Sequence, residues 1–173
     1  MTLHAAWKAS PMPAVIVPEA ISRALAAETR DALMDAGYTR YRRLDRASYE
    51  EAPADGLSAL GETLVEIARE VTGRDLALRS LRALRLVGGD YLLTHHDRVQ
   101  ADRPVQAILD LSPEPVERAA VHYRHRGQVY FVFPARPGAL ALVERGPTVL
   151  CNHTYVSKRV AGAEVVRLVA LLG

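Results

Sequence analysis

Residues 81–97 read LRALRLVGGDYLLTHHD. Two short runs, LRALRLV and YLLTHH, flank a Gly88-Gly89-Asp90 break of turn composition, and neither is long enough to be an ordinary helix. The same format continues downstream as VQAILDL, AVHYR, QVYFVF, ALALV, TVLCNHTYV and VVRLVALL, each cut off by Gly, Pro or charged residues. Short strands recurring about every ten residues are the pattern of an antiparallel sandwich or barrel. Within the quoted stretch His95 and Asp97 stand two apart, so on a strand an imidazole and a carboxylate would share one face.

Upstream the pattern is different. Leu57, Leu60, Leu64, Ile67 and Val71 fall at steps of three and four, which predicts a helix with one apolar stripe, ended by Gly73. An earlier helix is expected to open at Pro18 and to stop at Gly37, with Ile21, Leu25, Ala32, Leu33 and Ala36 at helical spacing. Between the helices, YTRYRRLDRASYEEAPADG reads as a strand followed by a loop. Residues 1–13, with Pro11 and Pro13 at the exit, read as a tail or an edge strand. The expected organisation is a single domain over 1–173. Residues 1–75 form a helical and loop lead-in and 76–173 a mainly β, double-stranded β-helix (jelly-roll) core, with the helices packed outside.

Composition narrows the function classes. A chain of 173 residues, 49% hydrophobic and 24% charged, suits one soluble globular domain. The net charge of +2 calls for neither nucleic acid nor an anionic membrane as partner. The single cysteine, Cys151, excludes an internal disulfide and fits a reducing, cytoplasmic setting. No apolar stretch is long enough to span a bilayer as a helix.

An H-x-D pair needs a third ligand to complete a two-His, one-carboxylate set, the arrangement that leaves positions open on a non-haem Fe(II). His122 and His125 follow Asp97 by only 25 and 28 residues, whereas His153 follows by 56, after several strands. A jelly roll needs those strands to bring the chain back across the barrel. His153 is therefore the expected third ligand, sharing a strand face with Cys151 and Tyr155. His96, between the first two, is expected to point away from the metal.

From the second helix onward the chain resembles the prolyl-hydroxylase-like branch of the Fe(II)/2-oxoglutarate dioxygenases. The likeness rests on GDYLLTHHD, ILDLS, VFPARPGALALV, CNHTYV and the terminal VVRLVALL, in the family's order, and on DAGYTRYRR after the first helix. The resemblance implies Fe(II) held by His95, Asp97 and His153. It also implies 2-oxoglutarate as co-substrate, with its decarboxylation to succinate driving oxidation, in the simplest case hydroxylation, of a small or amino-acid-like substrate. Asp97 in the ligand position argues against halogenation.

The distal carboxylate of 2-oxoglutarate needs a buried cation, and Arg167, isolated in an apolar strand, is the expected one. It stands later after His153 than the family's basic residue does, so Arg124 or Arg126 is the alternative, with Tyr123 as a further co-substrate contact. Tyr41, Arg42 and Arg43 are placed where a substrate lid would lie. Two other classes fit a strand-rich barrel. One is a cupin-type metal protein without 2-oxoglutarate, although cupins cluster their histidines with a Glu. The other is a non-catalytic jelly-roll binding module.

Overall fold

The computed structural model describes residues 2–95 and 102–173, positions 94 and 95 by backbone alone. Its elements in chain order are helix α1 (Leu3–Ala9), strand β1 (Ala14–Val17), α2 (Arg23–Ala36), β2 (Thr39–Arg43), β3 (Ala47–Pro53), α3 (Ser58–Thr72) and β4 (Leu78–Val87). There follow β5 (Tyr91–His95), β6 (Val105–Asp110), β7 (Ala120–His125), β8 (Gln128–Pro134), β9 (Leu140–Glu144), β10 (Val149–His153) and β11 (Glu164–Leu172). Each of the eight apolar runs downstream of Gly73 is a strand.

The strands pair antiparallel in the order β1-β9-β6-β11-β4-β3-β5-β10-β7-β8, with β2 added to β3. The chain is a jelly roll. One half, β1-β9-β6-β11-β4-β3, forms the larger sheet and β5-β10-β7-β8 the smaller, joined where β3 pairs with both β4 and β5.

The larger sheet is covered on both faces, so its central strands read as continuous apolar runs rather than alternating ones. Every residue of β6 is buried, and so are all but two of β11. On the outer face Ala107, Leu109, Leu142, Val166 and Leu168 pack against Leu33 of α2 and Leu64, Val65 and Ala68 of α3. On the inner face Leu84, Leu86, Ile108, Val165 and Val169 meet Val121, Tyr123 and Phe133 of the smaller sheet. The helices thus lie outside the barrel, as the sequence predicts.

Three expectations need correction in the N-terminal part. Residues 3–9 are a helix, not a tail or an edge strand. The Thr2 hydroxyl caps it by accepting from the Ala5 N–H at 3.2 Å, and the buried Trp7 holds it to the core. The next helix starts at Arg23 rather than Pro18, because the Ser22 side chain accepts from the Leu25 N–H and sets the boundary there. Residues 39–53 form a two-stranded hairpin and not a strand and a loop, with Tyr41 opposite Tyr49 and Arg43 opposite Ala47. Both helix stops hold, Gly73 in the left-handed region with its N–H on the Arg69 carbonyl.

Candidate active site

Antiparallel partners share a sheet face, so the pairings trace rows of side chains around the barrel wall. One row runs Ala47, Leu92, His153, Val121, Phe133 through β3, β5, β10, β7 and β8. Val121 and Phe133 are core residues of the interior, so His153, itself 3% exposed, belongs to that interior. Beside this row Cys151 is the partner of His95. Two residues of β10 therefore span three of β5, a bulge at the segment that leads to Asp97.

The start of β5 is clamped from the hairpin. The Arg40 Nη1 donates to both Asp90 carboxylate oxygens at 2.6 Å, the Ser48 hydroxyl donates to Oδ1 at 2.6 Å, and the Val87 N–H reaches Oδ2 at 3.0 Å. Asp90 is thereby satisfied although buried, and the strand that carries His95 leaves a fixed point.

Of the expected ligands, His153 is in the barrel and His95 is placed by its backbone on the neighbouring strand. Asp97 lies outside the described residues, as do His96 and Arg98. Among the described residues no group of three His, Cys, Asp or Glu side chains gathers as a metal site. The two other histidines considered are elsewhere. His122 is the partner of Asn152, on the face of the smaller sheet opposite His153. His125 bonds Thr148 near the far end of the same two strands. Tyr155 does not share a strand face with His153, because β10 ends at His153 and Tyr155 is 52% exposed.

Arg167 is 1% exposed and enters the same interior. Its Nη1 donates to His153 Nδ1 at 2.8 Å, and its Nε lies 3.7 Å from Asp110 Oδ2 across the β11-β6 pair. That separation is beyond hydrogen bonding. The Nε and Nη2 atoms of Arg167 and the Oδ2 of Asp110 all lack hydrogen-bond partners. Burial pushes the Asp110 carboxyl up and the Arg167 guanidinium down, each toward its neutral form, and their mutual attraction offsets only part of this.

Tyr123 is interior too, its hydroxyl donating to Gln106 Oε1 at 2.9 Å, with burial holding the phenol well above its ordinary value. Arg124 is not brought to this group. It points to the other face, where it bonds Asn152 and the Gly127 carbonyl.

A guanidinium only donates, so Nδ1 of His153 is the acceptor, and in the neutral ring the proton sits on Nε2. A metal needs a ring lone pair, so ligation by His153 through either ring nitrogen requires this contact to part. The two unpartnered nitrogens of Arg167, in turn, are donors that a bound carboxylate would satisfy in the two-pronged manner typical of arginine. The donor set fits a carboxylate directly, and fits a metal once the guanidinium has turned to that carboxylate.

No protein-family model and no curated protein matches the chain. Solved structures do. A prolyl-4-hydroxylase from Pseudomonas putida aligns over 98% of this chain and 97% of its own, at 16% identity and a TM-score of 0.73. The non-heme alpha ketoglutarate dependent epimerase SnoN from nogalamycin biosynthesis aligns over 98% and 79%, at 16% identity and 0.75. A 2OG-Fe(II) oxygenase family oxidoreductase from Burkholderia pseudomallei aligns over 92% and 85%, at 12% identity and 0.74.

The fold is that of the Fe(II)/2-oxoglutarate oxygenases.

Within this oxygenase fold the sequence reading missed Asp110 and Gln106. Both sit in VQAILDL, where full burial on both faces hides which residues face the barrel. The available signal was their parity: residues 106, 108 and 110 alternate with the helix-facing Ala107 and Leu109.

Proposed function

We infer that the chain is a 2-oxoglutarate-dependent non-haem iron oxygenase acting on a small molecule. The observation that carries this reading is a buried arginine with an unpartnered donor edge, bonded to His153 of the expected triad, inside a barrel of the oxygenase fold. Leaving such donors in an apolar interior costs several kcal/mol (about 1–3 for each unmet polar group), so an anion that meets them is strongly favoured. SnoN has been solved with Fe3+, alpha ketoglutarate and nogalamycin RO, which supports the same two groups here.

His95, Asp97 and His153 are the proposed metal ligands, and Arg167 the proposed anchor of the co-substrate's distal carboxylate. Bound together, the metal and co-substrate would supply oxidation coupled to decarboxylation. The remaining work belongs to the chain. Arg167 orients the co-substrate by two parallel hydrogen bonds. Tyr123 donates its hydroxyl to Gln106 Oε1 on the barrel wall, which fixes the two side chains against each other. The apolar wall of Leu84, Leu86, Val121 and Phe133 excludes water and lowers the local dielectric, which strengthens the Arg167 contacts. The clamp on Asp90 holds the strand bearing His95. Arg124 has no part in this proposal. Hydroxylation is the simplest outcome and the one proposed.

With Fe(II), a reductant, 2-oxoglutarate and oxygen, the chain is expected to release succinate slowly even without substrate. Succinate above the level of a metal-free control supports the reading. None above that control, with iron and 2-oxoglutarate both shown to bind, contradicts it.

A further inference from the structure

The hairpin β2-β3 extends the larger sheet beyond the barrel wall, and Tyr41 and Arg43 on its inward face are exposed. Tyr41, Arg43, Ala47, Tyr49 and Glu51 occupy that face, by register with one another and with Leu84 and Leu92. With Arg46 and Leu93 they border a cleft of about 630 Å³. The row that passes through His153 continues through Leu92 and Ala47 to Arg43. One end of the cleft, at Leu92, is therefore the cross-strand neighbour of His153 on the same face.

The lining has a definite chemistry. Tyr41 and Tyr49 stack with ring centroids 5.6 Å apart and planes 22° from parallel. Cross-strand aromatic pairs stabilise hairpins by themselves. Here, however, Tyr41 remains 46% exposed, and Leu93, which also borders the cleft, is 48% exposed. Arg82 is matched by Glu51 at 3.4 Å, whereas Arg43 and Arg46 form no ion pair among the described residues. Asp45 is the one further carboxylate at the border, so the cleft keeps a net positive charge.

A flat aromatic surface beside two guanidinium groups without an ion pair among the described residues, in a lining of net positive charge, suits a ring that carries an anion. We propose that this cleft holds the substrate, and that the substrate class is a flat, ring-bearing small molecule with a carboxylate, phenolate or similar anionic group. The assignment of the occupant as substrate rests on the oxygenase reading above; the binding chemistry does not.

The probe is 2-naphthoate, followed by its fluorescence anisotropy against the full chain, with neutral 2-naphthamide as its comparison. Naphthoate is expected to bind, and naphthamide to bind about tenfold more weakly, the effect of roughly one charge-assisted contact. Arg43→Gln with Arg46→Gln should erase that preference, and Tyr41→Ser should weaken both ligands. All three side chains are exposed, so the substitutions leave the core intact. No naphthoate binding, equal affinity for the two probes, or affinities untouched by these substitutions overturns the proposal.

The titration needs neither iron nor 2-oxoglutarate. Naphthoate binding in a chain that proves unable to bind iron upholds the cleft and refutes the oxygenase reading. Iron and 2-oxoglutarate binding without naphthoate binding refutes the cleft alone.

Discussion

Replacing Arg167 with methionine is expected to weaken 2-oxoglutarate binding by about 100-fold or more, the usual cost of removing one partner of a buried charged hydrogen bond. The same variant should bind Ni(II) alone at least as well as the parent chain, because Nδ1 of His153 then loses its donor. Titration calorimetry with each ligand separates the two effects. A purely structural role for Arg167 would move both affinities together. A second consequence concerns Asp110, which the substitution leaves buried without its counter-charge. Removing one member of such a pair costs about 3–5 kcal/mol.

The sign of the pH dependence follows from burial, which raises the folded-state value of the Asp110 carboxyl. The destabilisation is absent below the unfolded-state value, where both states are protonated, and grows as pH rises through the folded-state value. Urea melts of Arg167→Met should therefore show stability recovering on acidification, more than in the parent. Adding Asp110→Asn should remove that recovery.

The second large effect is at His153. His153→Ala should reduce Fe(II) or Ni(II) affinity by more than about 100-fold, since even a partner one step removed from a metal accounts for roughly 10–100-fold. Equilibrium dialysis followed by metal analysis reads this directly. Undiminished metal in the variant would remove His153 from the ligand set. His122 could not replace it from inside the barrel, because its register puts it on the other face of the smaller sheet.

Much of this architecture was legible in the residues. Strands buried on both faces, such as VQAILD and EVVRLVALL, announce themselves by apolar runs too short for helices and bounded by turn residues. The helix of Ser58–Thr72 was legible because its stripe repeats over four turns. What escaped was short or two-faced. A seven-residue helix at Leu3–Ala9 offers too few repeats for a period to emerge, and its stability comes from a Thr2 cap and from Trp7 packing at long range. β3, reading ASYEEAP, shows no apolar alternation, and it is a strand through its pairing with β2, β4 and β5.

The site divides along the same line. His153 and Arg167 could be singled out because an imidazole and a guanidinium stand out in apolar strands. Their mutual bond and the approach of Asp110 could not, because three different strands supply them and register decides the meeting. Arg124 was plausible by type and misplaced by parity: a single residue's shift along β7 exchanges the barrel for the outer face.

The central claim is that the barrel binds iron and 2-oxoglutarate together, with Arg167 turning from His153 to the co-substrate. Anaerobic addition of Fe(II) and then 2-oxoglutarate to the full chain, followed by visible absorption, tests it most directly. The account predicts a weak charge-transfer band that requires both additions and is lost in Arg167→Met and in His153→Ala. Iron bound at one equivalent with no band at saturating 2-oxoglutarate would contradict it, and would leave a jelly-roll binding module whose buried arginine serves the fold alone.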